Sequence, residues 1–193
     1  MFRLALFISG RGSNMSAIVQ SCQSGLLQNV ALPVLVFSNK EQAEGLKWAQ
    51  ENKINTLCIP SKGKTRADFD AEVLAAIRPY HIDYILLAGY MRVVSPLLVD
   101  AFPGKIINIH PADTKEHQGM DGYAWAWEQK KESTKITVHY VDYGLDTGDI
   151  IAQAEIDMKN INSLEDLERK GLKQEHQLYS QALYQVFTQS IQK

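Results

Sequence analysis

Two cysteines in 193 residues are too few for a disulfide framework. Cys22 and Cys58 are also too far apart in sequence for a zinc knuckle, and no cluster of metal ligands is expected. Both lie in apolar segments, where a free thiol behaves as a small buried hydrophobe. A basic excess is missing too. Twenty Lys and Arg face 22 Asp and Glu, for a net charge of −2. General binders of nucleic acid or anionic membranes carry such an excess, so neither partner is expected. No apolar run approaches the ~20 residues of a membrane span. Residues 4–8 are apolar and follow Arg3, but five residues fall short of the ~7–15 of a signal-peptide core. Ser-Gly-Arg-Gly-Ser follows them in place of a cleavage site. The segment reads as an internal strand, and a cytoplasmic protein is expected. There is no repeat, low-complexity tract or long charge block.

What is present is ordinary globular composition, 45% apolar and 22% charged. The length suits one domain on a prior of ~150 residues. The pattern alternates strand, turn and helix. Residues 2–8 form a continuous apolar run, as in a strand buried on both faces. Met15, Ile18, Val19 and Cys22 then fall at helical spacing, with Gly25 as a stop. Further strands are predicted at 31–37, 56–59, 84–88, 105–109, 135–141 and 150–156. Helices are predicted at 41–52, around 69–80 and at 123–131, and a long one opens at Ser163 with Asp166 as a weak capping box. Such alternation argues an α/β, Rossmann-like fold: a mostly parallel twisted sheet with helices on both faces. Ligands of these sheets bind beyond the carboxyl ends of the strands.

Chemistry is therefore sought at strand ends. The first strand runs through Ser9-Gly10-Arg11-Gly12-Ser13-Asn14 into a helix. Glycines let a ligand approach the backbone, and a helix N-terminus offers unpaired N–H groups, which suits a phosphate. A plain tight turn capped by Ser13 is the alternative. The fifth strand ends Asn108-Ile109-His110-Pro111. Residues i and i+2 share a strand face, so an amide and an imidazole can donate to one oxygen. A core histidine beside a turn asparagine is the alternative. Asp142-Tyr143-Gly144-Leu145-Asp146 lies in a shaped loop between two apolar strands. A carboxylate there can face His110, raise its pKa and hold it as imidazolium. Glu175 interrupts the apolar stripe of the last helix and needs a partner, either a ligand or an internal Arg or Lys. Trp125 and Trp127 cannot share a helix face, so one is expected in the core and the other partly exposed.

Assembled in order, these pieces resemble a known family. The Ser9–Asn14 turn, Phe37-Ser38-Asn39-Lys40, Leu87-Ala88-Gly89-Tyr90-Met91-Arg92, Asn108–Pro111, Val138-His139-Tyr140-Val141 and Leu145-Asp146-x-Gly148 look like glycinamide ribonucleotide formyltransferases. The resemblance implies transfer of a formyl group from 10-formyltetrahydrofolate to glycinamide ribonucleotide in purine synthesis, without a metal. It implies a catalytic set of Asn108, His110 and Asp146. Gly12, Ser13 and Asn14 would hold the ribonucleotide phosphate. Leu172, Lys173, Gln174 and Glu175 would line the rest of the acceptor site. Arg66, Met91, Arg92, Val93, Val94, Asn108 and the loop Asp142, Tyr143, Gly144, Leu145 and Asp146 would receive the folate. His139 is expected nearby, without an assigned role. One formyltransferase domain would fill residues 1–193, with a phosphate-binding half at about 1–100 and a catalytic, folate-binding half at about 101–193. The expected partners are small-molecule substrates, and the chain is expected as a monomer or homodimer. One stretch departs from the resemblance. Residues 112–119, Ala-Asp-Thr-Lys-Glu-His-Gln-Gly, are polar where the family carries apolar anchors. Two neighbouring readings share the motifs: formylation of another amine, such as that of a sugar nucleotide, and hydrolysis of 10-formyltetrahydrofolate.

Overall fold

A computed structural model describes residues 1–191. Seven strands form one sheet: β1 Phe2–Ile8, β2 Ala31–Ser38, β3 Asn55–Cys58, β4 Tyr84–Leu87, β5 Ile106–His110, β6 Ser133–Tyr140 and β7 Ile150–Asp157. Six helices accompany them: α1 Ser13–Ser24, α2 Glu44–Glu51, α3 Arg66–Ile77, α4 Pro96–Ala101, α5 Gly122–Glu128 and α6 Leu164–Ile191. The strand order is β3-β2-β1-β4-β5-β6-β7. β1 to β5 pair in parallel, while β6 runs antiparallel to both β5 and β7. The α/β, mostly parallel sheet expected from the alternation is present.

Alternation along β1 shows why the sheet is buried on both sides. Leu4, Leu6 and Ile8 face one core with Met15, Ile18 and Val19 of α1 and Tyr179, Leu183 and Phe187 of α6. Ala5 and Phe7 face a second core with Phe69, Val73 and Ile77 of α3 and Leu98 of α4. Period two thus delivers one strand to two cores.

The chain leaves β1 toward β2 and β3 on one side and returns to β4 on the other. The order therefore reverses between β1 and β4, where open α/β sheets bind ligands. Ser9 ties this point together. Its N–H donates to the Gly89 carbonyl at 3.0 Å. Its hydroxyl donates to Asn39 Oδ1 at 2.6 Å and accepts from the Met91 N–H at 2.8 Å.

Several details depart from the sequence reading. α2 starts at Glu44, because residues 41–42 turn first. Gly45 then packs on the first turn, its N–H donating to the Gly10 carbonyl at 3.1 Å. A Cβ at Gly45 would lie 2.5 Å from Ile8 Cδ1. α4 has no counterpart in the sequence pattern: its six residues are too few to show a period, although Ser95-Pro96 is a start signal. Trp125 and Trp127 are both half-buried, and the core aromatic of α5 is Tyr123. Cys22 is buried, which pushes its thiol up to about 12, whereas Cys58 is only half-buried.

Candidate active site

A cavity of ≈ 490 Å³ opens beyond the carboxyl ends of β4 and β5. Its walls are Leu87, residues 89–94, the end of β5, residues 119–121, and His139 with the loop after β6. Asn108 and His110 both line it, as their shared strand parity requires. Asp146 lines it from the opposite loop and reaches both. Its Oδ1 accepts from Asn108 Nδ2 at 3.2 Å, and its Oδ2 lies 3.6 Å from His110 Nδ1. The Gly119 N–H donates to Oδ2 at 2.8 Å. Asp146 takes this position with φ 53, in the left-handed region that asparagine and aspartate tolerate best. Gly148 permits the loop: a Cβ there would overlap the Tyr140 carbonyl.

His139 belongs to the same cluster. It stands opposite Asn108 in the β5–β6 ladder. Its Nδ1–H donates to the Tyr140 carbonyl at 2.8 Å, leaving Nε2 to accept from Asn108 Nδ2 at 3.2 Å. His139 Nε2 also lies 3.5 Å from Asp146 Oδ1. The antiparallel register places it there, and one strand read alone does not reveal a cross-strand partner.

The charge of His110 overturns an expectation. Burial is the largest influence and lowers its pKa; Asp146 pushes it up but does not win. The His117 carbonyl also pushes up, while His139 and His117 push down. The ring is only 3% exposed, so removing a cation from water outweighs one carboxylate at 3.6 Å. Before substrates arrive, His110 is thus neutral at neutral pH rather than held as imidazolium. Asp146 is itself pushed up by burial, but the adjacent His139, the Gly119 N–H and the His110 imidazole bring it below the usual carboxylate range.

Both shifts act on stability in one direction. His110 titrates lower in the folded protein than its ordinary ~6.5, so the unfolded chain binds more protons below that pH. Stability is therefore lost as pH falls from ~6.5 through the folded value. Asp146, depressed when folded, stabilises above its ordinary ~3.9, and that contribution disappears as pH falls through its folded pKa. Urea midpoints are expected to fall between pH 7.5 and 5.5, and to fall less in His110→Ala. Equal slopes in both proteins would contradict the assignment.

Of the residues expected to receive folate, Met91, Arg92, Val93, Val94, Asn108, Asp142, Gly144, Leu145 and Asp146 line the cavity. Arg66 does not: it is exposed at the start of α3. Nor does Tyr143, whose hydroxyl donates to Asp100 at 2.6 Å. Arg92 is partly spent on structure. Its guanidinium donates to the Lys64 and Thr65 carbonyls at 3.2 and 3.1 Å and lies 4.6 Å from the Phe69 ring centroid.

The residues assigned to the acceptor form a second group outside that cavity wall. Gly12, at φ 74, is the N-cap of α1, so Ser13 is the first helical residue and not the cap. No side chain caps this helix, which leaves its first N–H groups available to an anion. Asn14 Nδ2 donates to Glu175 Oε2 at 2.6 Å, joining the first turn to α6. The Tyr123 hydroxyl donates to Glu175 Oε1 at 2.6 Å. The buried carboxylate thus has an amide and a phenol as partners, not the internal Arg or Lys that was the alternative to a ligand. Leu172 and Gln174 are half-buried beside it, and Lys173 is exposed.

Gly171 makes the Tyr123 contact possible. It is buried within α6, and a Cβ there would overlap the Tyr123 ring. Helix propensity alone predicts that Gly171→Ala stabilises by about 0.5–1 kcal/mol. The overlap reverses the sign, and a net loss of about 1–3 kcal/mol is expected. Urea unfolding measures it, and a gain in stability would contradict the packing.

Fold and site together define an α/β enzyme with an amide, an imidazole and a carboxylate converging on one cavity. The sequence profile of the formyl transferases matches residues 2–183, and the chain belongs to that family. It is 35% identical over 187 residues to a phosphoribosylglycinamide formyltransferase of Bacillus subtilis, covering 96% of this chain and 95% of the relative. It is 34% identical over 177 residues to the enzyme of that name from Escherichia coli, covering 91% and 82%. The crystal structure of phosphoribosylglycinamide formyltransferase from Bacillus halodurans superposes with a TM-score of 0.92 at 33% identity, covering 97% of this chain and 96% of that one.

Proposed function

We propose that the protein transfers the formyl group of 10-formyltetrahydrofolate to the amine of glycinamide ribonucleotide. The products are formylglycinamide ribonucleotide and tetrahydrofolate, in cytoplasmic de novo purine synthesis. The observation that carries this reading is the convergence of Asn108, His110 and Asp146 on one cavity, in a chain whose relatives bear that enzyme's name.

The residues fit both substrates. A cavity of ≈ 490 Å³ lined by Leu87, Val93, Val94 and Val141 suits the flat, largely apolar rings of a folate. The uncapped start of α1 suits a phosphate. Glu175 lies one hydrogen bond from that start, and an ionised carboxylate has about four lone-pair sites, so it can accept from a ligand as well.

The acceptor amine attacks the formyl carbon, and a C–N bond forms as the carbonyl oxygen gains charge. Asn108 Nδ2 donates to that oxygen, turning one of its two N–H groups away from His139 Nε2 or Asp146 Oδ1. The attacking nitrogen must lose a proton. Asp146 Oδ2 and His110 Nδ1 face each other across 3.6 Å and can take it directly or through a water. Protonation makes His110 cationic beside the oxyanion when that charge is useful, and Asp146 then stabilises it. Collapse expels the folate N10, which recovers a proton. His110 thus works as a neutral ring that becomes charged during the reaction.

Tetrahydrofolate release from 10-formyltetrahydrofolate, measured with and without glycinamide ribonucleotide, tests the reading. Turnover is expected only with the ribonucleotide. Release without an acceptor would indicate the hydrolase. No turnover with the ribonucleotide would overturn the assignment of acceptor.

A further inference from the structure

The polar stretch between β5 and α5 has a definite structure. At its start the Thr137 hydroxyl donates to the Ala112 carbonyl at 2.7 Å. Asp113 accepts from the Lys115 N–H at 3.0 Å and from Lys135 Nζ at 2.8 Å. These bonds replace an apolar anchor with a polar one. Further along, the chain meets the catalytic groups. The His117 carbonyl accepts from His110 Nε2 at 3.0 Å, and the Gly119 N–H donates to Asp146 at 2.8 Å. Residues 117–119 therefore brace both members of the His110–Asp146 pair.

The His117 ring anchors that brace. It stacks on Trp125 with centroids 4.9 Å apart and planes at 16°. Its Nε2–H donates to the Met120 carbonyl at 2.8 Å, closing a short turn around Gly119. Trp125 is held in turn by Lys131, whose ammonium lies 5.0 Å from the indole centroid. Lys131 is paired with Glu116 at 3.0 Å, next to His117 in the chain.

The brace selects a tautomer. A carbonyl only accepts, so the bond to His117 requires a proton on His110 Nε2. In the neutral ring the lone pair is then on Nδ1, the atom facing Asp146. Without the carbonyl, the proton can move to Nδ1 and donate toward Asp146, leaving no lone pair there to receive the amine proton.

Resting on the formyl-transfer reading above, we propose that His117 is a positioning residue. Its ring, stacked on Trp125, holds its own carbonyl against His110 Nε2 and so presents His110 Nδ1 to the reaction as a proton acceptor. The family resemblance assigns it no such role.

Three variants and two readouts test this. His117→Ala removes the stack and the bond to Met120. Its kcat is expected to fall by about 10- to 10²-fold, as for a catalytic group slightly misplaced, with little change in KM for either substrate. His117→Phe keeps a flat ring on Trp125 and is expected to lose no more than ~3-fold, since stacking and not hydrogen bonding would carry the effect. Trp125→Leu removes the platform and is expected to behave like His117→Ala. The second readout needs no turnover. Ring-nitrogen NMR of His110 in the substrate-free protein is expected to show the Nε2–H tautomer in the parent and in His117→Phe. His117→Ala and Trp125→Leu are expected to show a mixture. An unchanged tautomer and an unchanged kcat in His117→Ala overturn the proposal. So does a His117→Phe variant as impaired as His117→Ala. If the parent fails to use glycinamide ribonucleotide, the functional reading fails, and the NMR comparison still decides the brace.

Discussion

Asp146→Asn is expected to lower kcat/KM by about 10²- to 10⁴-fold, the range of a lost general acid–base group. The backbone should tolerate the change, because asparagine accepts the left-handed φ of 53 that Asp146 adopts. The side chain cannot. One oxygen receives Asn108 and the other receives Gly119, so a single amide NH2 must face a donor whichever way it is turned. The variant also loses the carboxylate that pushes His110 upward, and the His110 pKa should drop further. Steady-state kinetics with an NMR titration of His110 measures both. Near-normal turnover would reduce Asp146 to a loop anchor, and an unchanged His110 would deny the electrostatic coupling.

His110→Ala is expected to cost at least ~10²-fold in transfer, the effect of removing one group that stabilises the oxyanion. The fold should survive. Its bonds and close polar contacts are to the His117 carbonyl and Asp146 within the site, and its neighbour Ile109 packs into the sheet core. Circular dichroism should be unchanged. The loss should fall mainly on kcat, because the role assigned to His110 is realised only as the oxyanion forms. An effect confined to KM would make His110 a binding residue. Near-normal turnover would remove it from the mechanism altogether.

Much of this site was legible because strands and turns speak locally. The apolar run at Phe2–Ile8, broken only by Arg3, marks a strand with the observed boundaries, since a strand between two cores buries five successive residues, Leu4–Ile8, on two faces. Period two placed Asn108 and His110 together. The ordered motifs led to the family, the cavity-lining loop and Asp146. Arg66 lies outside the cavity lining, because a helix start near a cleft in sequence need not face it in space. α4 escaped because six residues show no period.

The sequence by itself determined the strand–helix alternation, the turn at Ser9–Asn14 and the shared strand face of Asn108 and His110, all properties of neighbouring residues. Only the tertiary structure decided how those groups are charged and held. His110 is neutral because burial outweighs Asp146, and burial is a sum over the whole surrounding shell. Glu175 is satisfied by Asn14 and Tyr123, 161 and 52 residues away. His139 meets Asn108 only through an antiparallel register, and Gly171 is required only because Tyr123 lies against it. Side-chain periodicity is local and can be read along the chain, whereas solvation and long-range pairing exist only once distant segments have packed.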